Sequence, residues 1–138
     1  MKISLVLMIS IFSVQLSFAQ SLEHKDKEIN FLVEKLGLNE RQIDKATKII
    51  QRKHDDFKLI QKYKSTNSKK YATKLKALYE GTLVSVQLML NTDQQKEAYR
   101  QYRIELRKQK GEMINTYKKN GLSAEDASNK YFSEVIFF

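Results

Sequence analysis

The sequence predicts an all-α protein: a small bundle or curved hairpin of four to five helices, expected to dimerise. Three observations carry this. Proline is absent from the 138 residues and glycine occurs only four times. The long stretches are rich in Lys, Glu, Gln, Leu and Ala, which cost a helix little. Apolar residues recur at three-four spacing, and no segment alternates apolar and polar residues over the length of a strand.

The opening residues read as an export signal. Met1-Lys2 is a short positive start, Ile3 to Val14 is apolar apart from three serines, and Ser17-Phe18-Ala19 offers small residues where a signal peptidase cuts. The apolar run falls short of the roughly 20 residues that span a bilayer. No cysteine follows it, so a lipoprotein anchor is excluded. The expected organisation is therefore a secretory signal over residues 1–19, cleaved after Ala19, and one helical domain over 20–138, placed in the periplasm. Lys2 is the only charge in the removed segment, so the formal charge of +9 on the whole chain falls to +8. With no disulfide, a small core has limited stability, and dimerisation would bury more apolar surface.

The first helix is expected from about Leu22 to Leu36, with Ile29, Leu32, Val33 and Leu36 on one face. Gly37 stands where a C-terminal cap requires positive φ. Asn39 then caps a second helix, Gln42 completes a capping box, and Leu38 with Ile43 can form a hydrophobic staple. That helix carries Ile43, Ala46, Ile50, Phe57 and Ile60 on a stripe flanked by Ile49 and Leu59. Ser65 to Ser68 is a polar break, with Ser68 the expected cap of a third helix bearing Tyr71, Leu75, Leu78, Thr82, Val86 and Met89. The fourth runs from about Thr92 to Lys119 and ends at Asn120-Gly121; Ser123 to Asp126 opens a short fifth. The terminal Val135-Ile136-Phe137-Phe138 is expected to cover the core, pack on a partner subunit or serve as a degradation tag.

One pattern occurs twice. Leu38-Asn39-Glu40-Arg41-Gln42 and Leu90-Asn91-Thr92-Asp93-Gln94 are both L-N-x-x-Q, with Ala46 and Ala98 at the same later offset. Each joins a buried Leu (Leu38, Leu90), a capping Asn (Asn39, Asn91) and a reciprocal Gln (Gln42, Gln94), fixing where a long helix starts. Two L-T-x-x-Q motifs in a small exported helical protein mark the Spy/CpxP-like periplasmic family, which this chain resembles as a divergent member, with Asn in place of the usual Thr. The resemblance implies a thin, curved dimer of long helices. It implies binding of unfolded envelope proteins without ATP, or restraint of a stress-sensing kinase; some relatives bind zinc.

The fourth helix carries the expected client-binding surface. At 100° per residue, Lys96, Arg100, Arg103, Arg107 and Lys110 share an arc of roughly 80°. Tyr99, Tyr102, Leu106, Met113 and Tyr117 share an adjoining arc of roughly 60°. Such a border of cations and aromatics can hold an apolar segment while attracting its acidic residues. The cations Arg41, Lys45, Lys48, Arg52 and Lys62 of the second helix read as a solvated face, and Lys53, inside the apolar stripe, as a snorkelling side chain.

Enzymatic chemistry finds no support. Without cysteine there is no thiolate, and the two histidines, His24 and His54, lack the i, i+4 pairing of helical zinc sites. His54 is expected to be solvated. Neither a metal nor a cofactor is expected. The pI of about 9.6 would suit nucleic acid, but the export signal argues against that partner. The expected partners are unfolded or acidic envelope proteins. Alternatives are an acidic sensor-kinase or anti-sigma domain, which would make the protein a stress regulator, and an anionic membrane surface.

Overall fold

The computed structural model describes residues 23–134. The expected signal segment and the apolar tail 135–138 lie outside the described residues. The described chain is all-α: α1 (residues 23–36), α2 (Glu40–Ile60), a 3₁₀ turn (Gln61–Tyr63), α3 (Ser68–Met89), α4 (Asp93–Lys119) and α5 (Ala124–Glu134), with no strand among these residues.

The first turn forms as its residues dictate. Gly37 takes φ 62°, and the N–H groups of Gly37 and Leu38 both donate to Val33 O, at 2.9 and 3.3 Å. Asn39 is extended and closes a full capping box: its side chain accepts from Gln42 N at 3.0 Å while its own N–H donates to Gln42 Oε1 at 3.1 Å. Leu38 is buried and Ile43 packs against the same core, as the staple requires. The second turn departs by one residue from the expected cap. Asn67, not Ser68, is the cap and accepts from Lys70 N at 2.9 Å, leaving Ser68 as the first helical residue. An Asn carbonyl in that position leaves the following Ser free to enter the helix. At the last turn Gly121 takes φ 94°, and Ser123 caps α5 by accepting from Asp126 N at 3.0 Å.

Two apolar clusters hold the helices. The larger joins Leu32 and Leu36 of α1, Ala46 and Ile50 of α2, Leu83 and Val86 of α3, and Tyr99 and Tyr102 of α4. The smaller joins Ile60, Tyr71 and Leu75 to Tyr131 and Phe132 of α5, which packs against both α3 and α4. Tyr79 touches both clusters, its ring 5.8 Å from Phe132 and 6.5 Å from Tyr131. Lys110 of α4 lies 4.4 Å over the Phe132 ring.

Gly81 sits in mid-α3 on the exposed side, and a Cβ built there meets no atom within 4 Å. Nothing in the packing requires a glycine, so its helix penalty is uncompensated. Gly81→Ala should raise stability by about 1 kcal/mol, read as a higher denaturant midpoint with an unchanged slope.

Candidate functional site

The two repeated helix starts meet at one end of the molecule. Their centre is a buried, reciprocal pair of carboxamides. Gln42 Nε2 donates to Gln95 Oε1 at 2.9 Å, and Gln95 Nε2 donates to Gln42 Oε1 at 2.8 Å. Each amide also binds the backbone leading into the opposite helix. Gln42 Nε2 donates to Met89 O at 3.0 Å, and Gln95 Nε2 donates to Gly37 O at 2.9 Å. Each oxygen accepts from its own turn, from Asn39 N at 3.1 Å and from Asn91 N at 3.3 Å. Asn91 Oδ1 is a further acceptor for Gln42 Nε2, at 3.3 Å. A buried polar network satisfied at every atom fixes a single arrangement.

This geometry corrects the second motif by one residue. The cap of α4 is Thr92, whose hydroxyl accepts from Gln95 N at 3.1 Å; Asn91 precedes it and does not cap. The buried partner of Gln42 is Gln95, and Gln94 is exposed. Aligning the copies on Leu38 and Leu90 gives the wrong register, because one extra residue separates Leu90 from its cap. Both buried leucines stand where expected, 8% and 6% exposed.

The expected client surface on α4 divides. Tyr99 and Tyr102 are core residues, each 4% exposed, and the Tyr99 hydroxyl donates to Leu83 O at 2.6 Å. Burial raises the pKa of both phenols. Leu106 is half-buried against the larger cluster. The aromatic stripe is therefore the inner face of α4: Tyr99 and Tyr102 pack against α1 and α3, and the half-buried Met113 and Tyr117 against the smaller cluster that includes α5. Of the cations, Lys96, Arg100 and Arg107 are exposed. Arg100 pairs with Glu97 at 2.7 Å, half-buried Arg103 reaches Glu80 on α3 at 3.4 Å, and Lys110 rests on Phe132.

An open groove lies elsewhere, between α2 and α3. It has a volume of about 480 Å³. Ile49 and Leu59 of α2 form one wall, and Ala77, Gly81 and Ser85 of α3 the other. Arg52 and Asp56 of α2 and Lys74 of α3 also line it. Leu59 is 66% exposed and so only flanks the α2 stripe; Val84 and Leu88, on the outer face of α3, are 50% and 81% exposed. The sequence offered one signal for this face: Val84 and Leu88 are large apolar residues outside the stripe that α3 buries.

Beneath α2 lies a second unanticipated feature. Lys53 and His54 are buried, not snorkelling and not solvated. Both bind one carboxylate of α1, with Lys53 Nζ 2.5 Å from Glu28 Oε2 and His54 Nε2 3.1 Å from Glu28 Oε1. Burial lowers the Lys53 pKa to about 8 and pulls that of His54 below its ordinary value, against the opposing pull of Glu28. Among the described residues no group of three His, Cys, Asp or Glu side chains could hold a metal ion, and no helix is long and apolar enough to cross a membrane. The chain matches no family model, no curated protein and no solved structure.

Proposed function

We propose that this is an exported, non-enzymatic binding protein that holds apolar, acid-bearing segments of unfolded envelope proteins without ATP, as its resemblance to the Spy/CpxP-like family implies. The observation that carries the reading is the open α2–α3 groove, lined by the exposed Leu59 and the cations Arg52 and Lys74, together with the exposed apolar Val84 and Leu88 of α3. Apolar surface of this kind on a small domain marks a contact. The exposed Lys96, Arg100 and Arg107 on α4 add a long-range attraction for acidic chains without themselves forming the apolar seat. The meeting of two capped helix starts supports the family reading in the corrected register, where Asn39 with Gln42 and Thr92 with Gln95 share one task.

The purified protein is expected to suppress aggregation of an unfolding acidic client at several-fold molar excess, and less so as salt screens the exposed charges. Replacing Leu59, Val84 and Leu88 together by Ser should abolish most of the suppression while leaving the helical spectrum intact, since all three side chains are exposed. Suppression by the triple variant equal to that of the parent would refute this exposed apolar surface as the seat. No suppression by the parent would refute the function.

A further inference from the structure

We infer that the α2–α3 groove takes a helical segment of its partner, amphipathic and acidic, in preference to an extended chain; this rests on the binding reading above and specifies its ligand. The first argument is hydrogen bonding. Both walls are helices, whose backbone groups are consumed internally, and the two hydroxyls on the α3 side are spent as well. Thr82 Oγ1 donates to Leu78 O at 2.8 Å and Ser85 Oγ donates to Gly81 O at 2.9 Å. The groove therefore offers no backbone edge to pair with. An extended segment would desolvate its own N–H and C=O groups without replacement, which is costly, whereas a helix arrives with them satisfied.

The second argument is shape. Ala77, Gly81 and Ser85 recur every four residues along one face of α3, so the wall stays low over about 12 Å, at 1.5 Å per residue. That length matches about two turns of a helix lying alongside. A helix seated there would rest its apolar face against Ile49 and Leu59, as in helix-in-groove recognition. The third argument is charge. Among the described residues neither Arg52 nor Lys74 is held in an ion pair, although the Lys74 ammonium lies 5.6 Å from the Tyr63 ring centre; α2 and α3 thus each bring one cation to the lining, with Asp56 its one acid. The exposed Lys45 and Lys48 extend the positive flank of α2. Acidic residues on both sides of an apolar stripe are what this arrangement would select.

The test titrates the full chain with two synthetic peptides of identical composition. One places Leu and Ala at three-four spacing with Glu on the flanks; the other scrambles that order. The patterned peptide should bind, gain helicity by circular dichroism and dissociate with added salt, and the scrambled one should bind far more weakly. Gly81→Leu should fill the groove and weaken the patterned peptide by about tenfold or more. A Cβ at Gly81 meets nothing, so the variant should fold. Lys74→Glu, a second route that adds no bulk, should weaken the acidic peptide and favour its Lys-for-Glu counterpart. Equal binding of both peptides, absence of helicity in the bound state, or parental affinity in folded Gly81→Leu would each overturn the inference. If either of the first two results came with intact client suppression, the binding function would stand and only the helical ligand would fall.

Discussion

Glu28→Ala is expected to be among the most damaging single substitutions in the domain, costing about 3–5 kcal/mol. Glu28 is 5% exposed and is shared by Lys53 and His54. Removing it leaves a buried ammonium without its carboxylate. The loss should appear first in α1, whose amides should exchange faster than those of α3. The pair is not thereby a source of net stability, because desolvation of both charges opposes their attraction. Glu28→Leu combined with Lys53→Met should therefore recover most of the loss. The proton balance gives an independent check. Lys53 has a pKa of about 8 in the folded protein against the ordinary lysine value of 10.5. Between those values the unfolded chain holds more protons, so stability should rise with pH across that window. His54, also lowered, should make stability fall as pH drops below its ordinary value, about 6.5. Lys53→Met should remove the alkaline rise and leave the acid limb. Chemical denaturation at a series of pH values measures both, and a flat alkaline profile in the parent would rule out the buried ammonium.

The second large effect separates two adjacent glutamines. Gln95→Ala should cost about 2–3 kcal/mol, because it leaves Gly37 O and the Gln42 amide buried with partners missing. Gln94→Ala, on the exposed side, should stay within about 0.5 kcal/mol of the parent. A double change of Gln42 and Gln95 to Leu should cost less than the two single Ala changes added together, since replacing both partners removes the unsatisfied groups along with the bonds. Melting curves of the set decide it. Equal effects at positions 94 and 95 would mean that α4 starts one residue earlier.

Those two glutamines also mark where the sequence stopped being legible. Helix content, Gly37, the Asn39 capping box and the Asn120-Gly121 stop follow from local rules, and all are found in the structure. At the second start, Asn91 and Thr92 are both good caps and Gln94 and Gln95 chemically identical, so local chemistry cannot choose between them. The choice is made by Gln42, 53 residues away in sequence. The α4 stripe was legible as a stripe. That α1 and α3 would cover Tyr99 and Tyr102 depended on packing, as did the register that sets Glu28 against Lys53. A lysine within an apolar stripe has two outcomes, and the partner helix selects between them. Val84 and Leu88 are surplus apolar residues outside the α3 stripe, and local chemistry alone does not say that they stay exposed.

The turns at the two ends of that groove set its mechanics. At one end the Gln42 amide binds Met89 O, tying the start of α2 to the end of α3; at the other, the 3₁₀ turn Gln61–Tyr63 and the Asn67 cap join the same two helices covalently within a few residues. A slot fastened at both ends has little freedom to widen. It surrenders little entropy on occupation, so affinity is set by fit and not diminished by ordering. It also sorts by girth: a helix presenting Ala, Ser or Gly to the α3 wall can lie down, while one presenting Phe or Trp is held off. Selectivity in such a device comes from the breadth of the guest's contacting face, read by a gauge that does not flex.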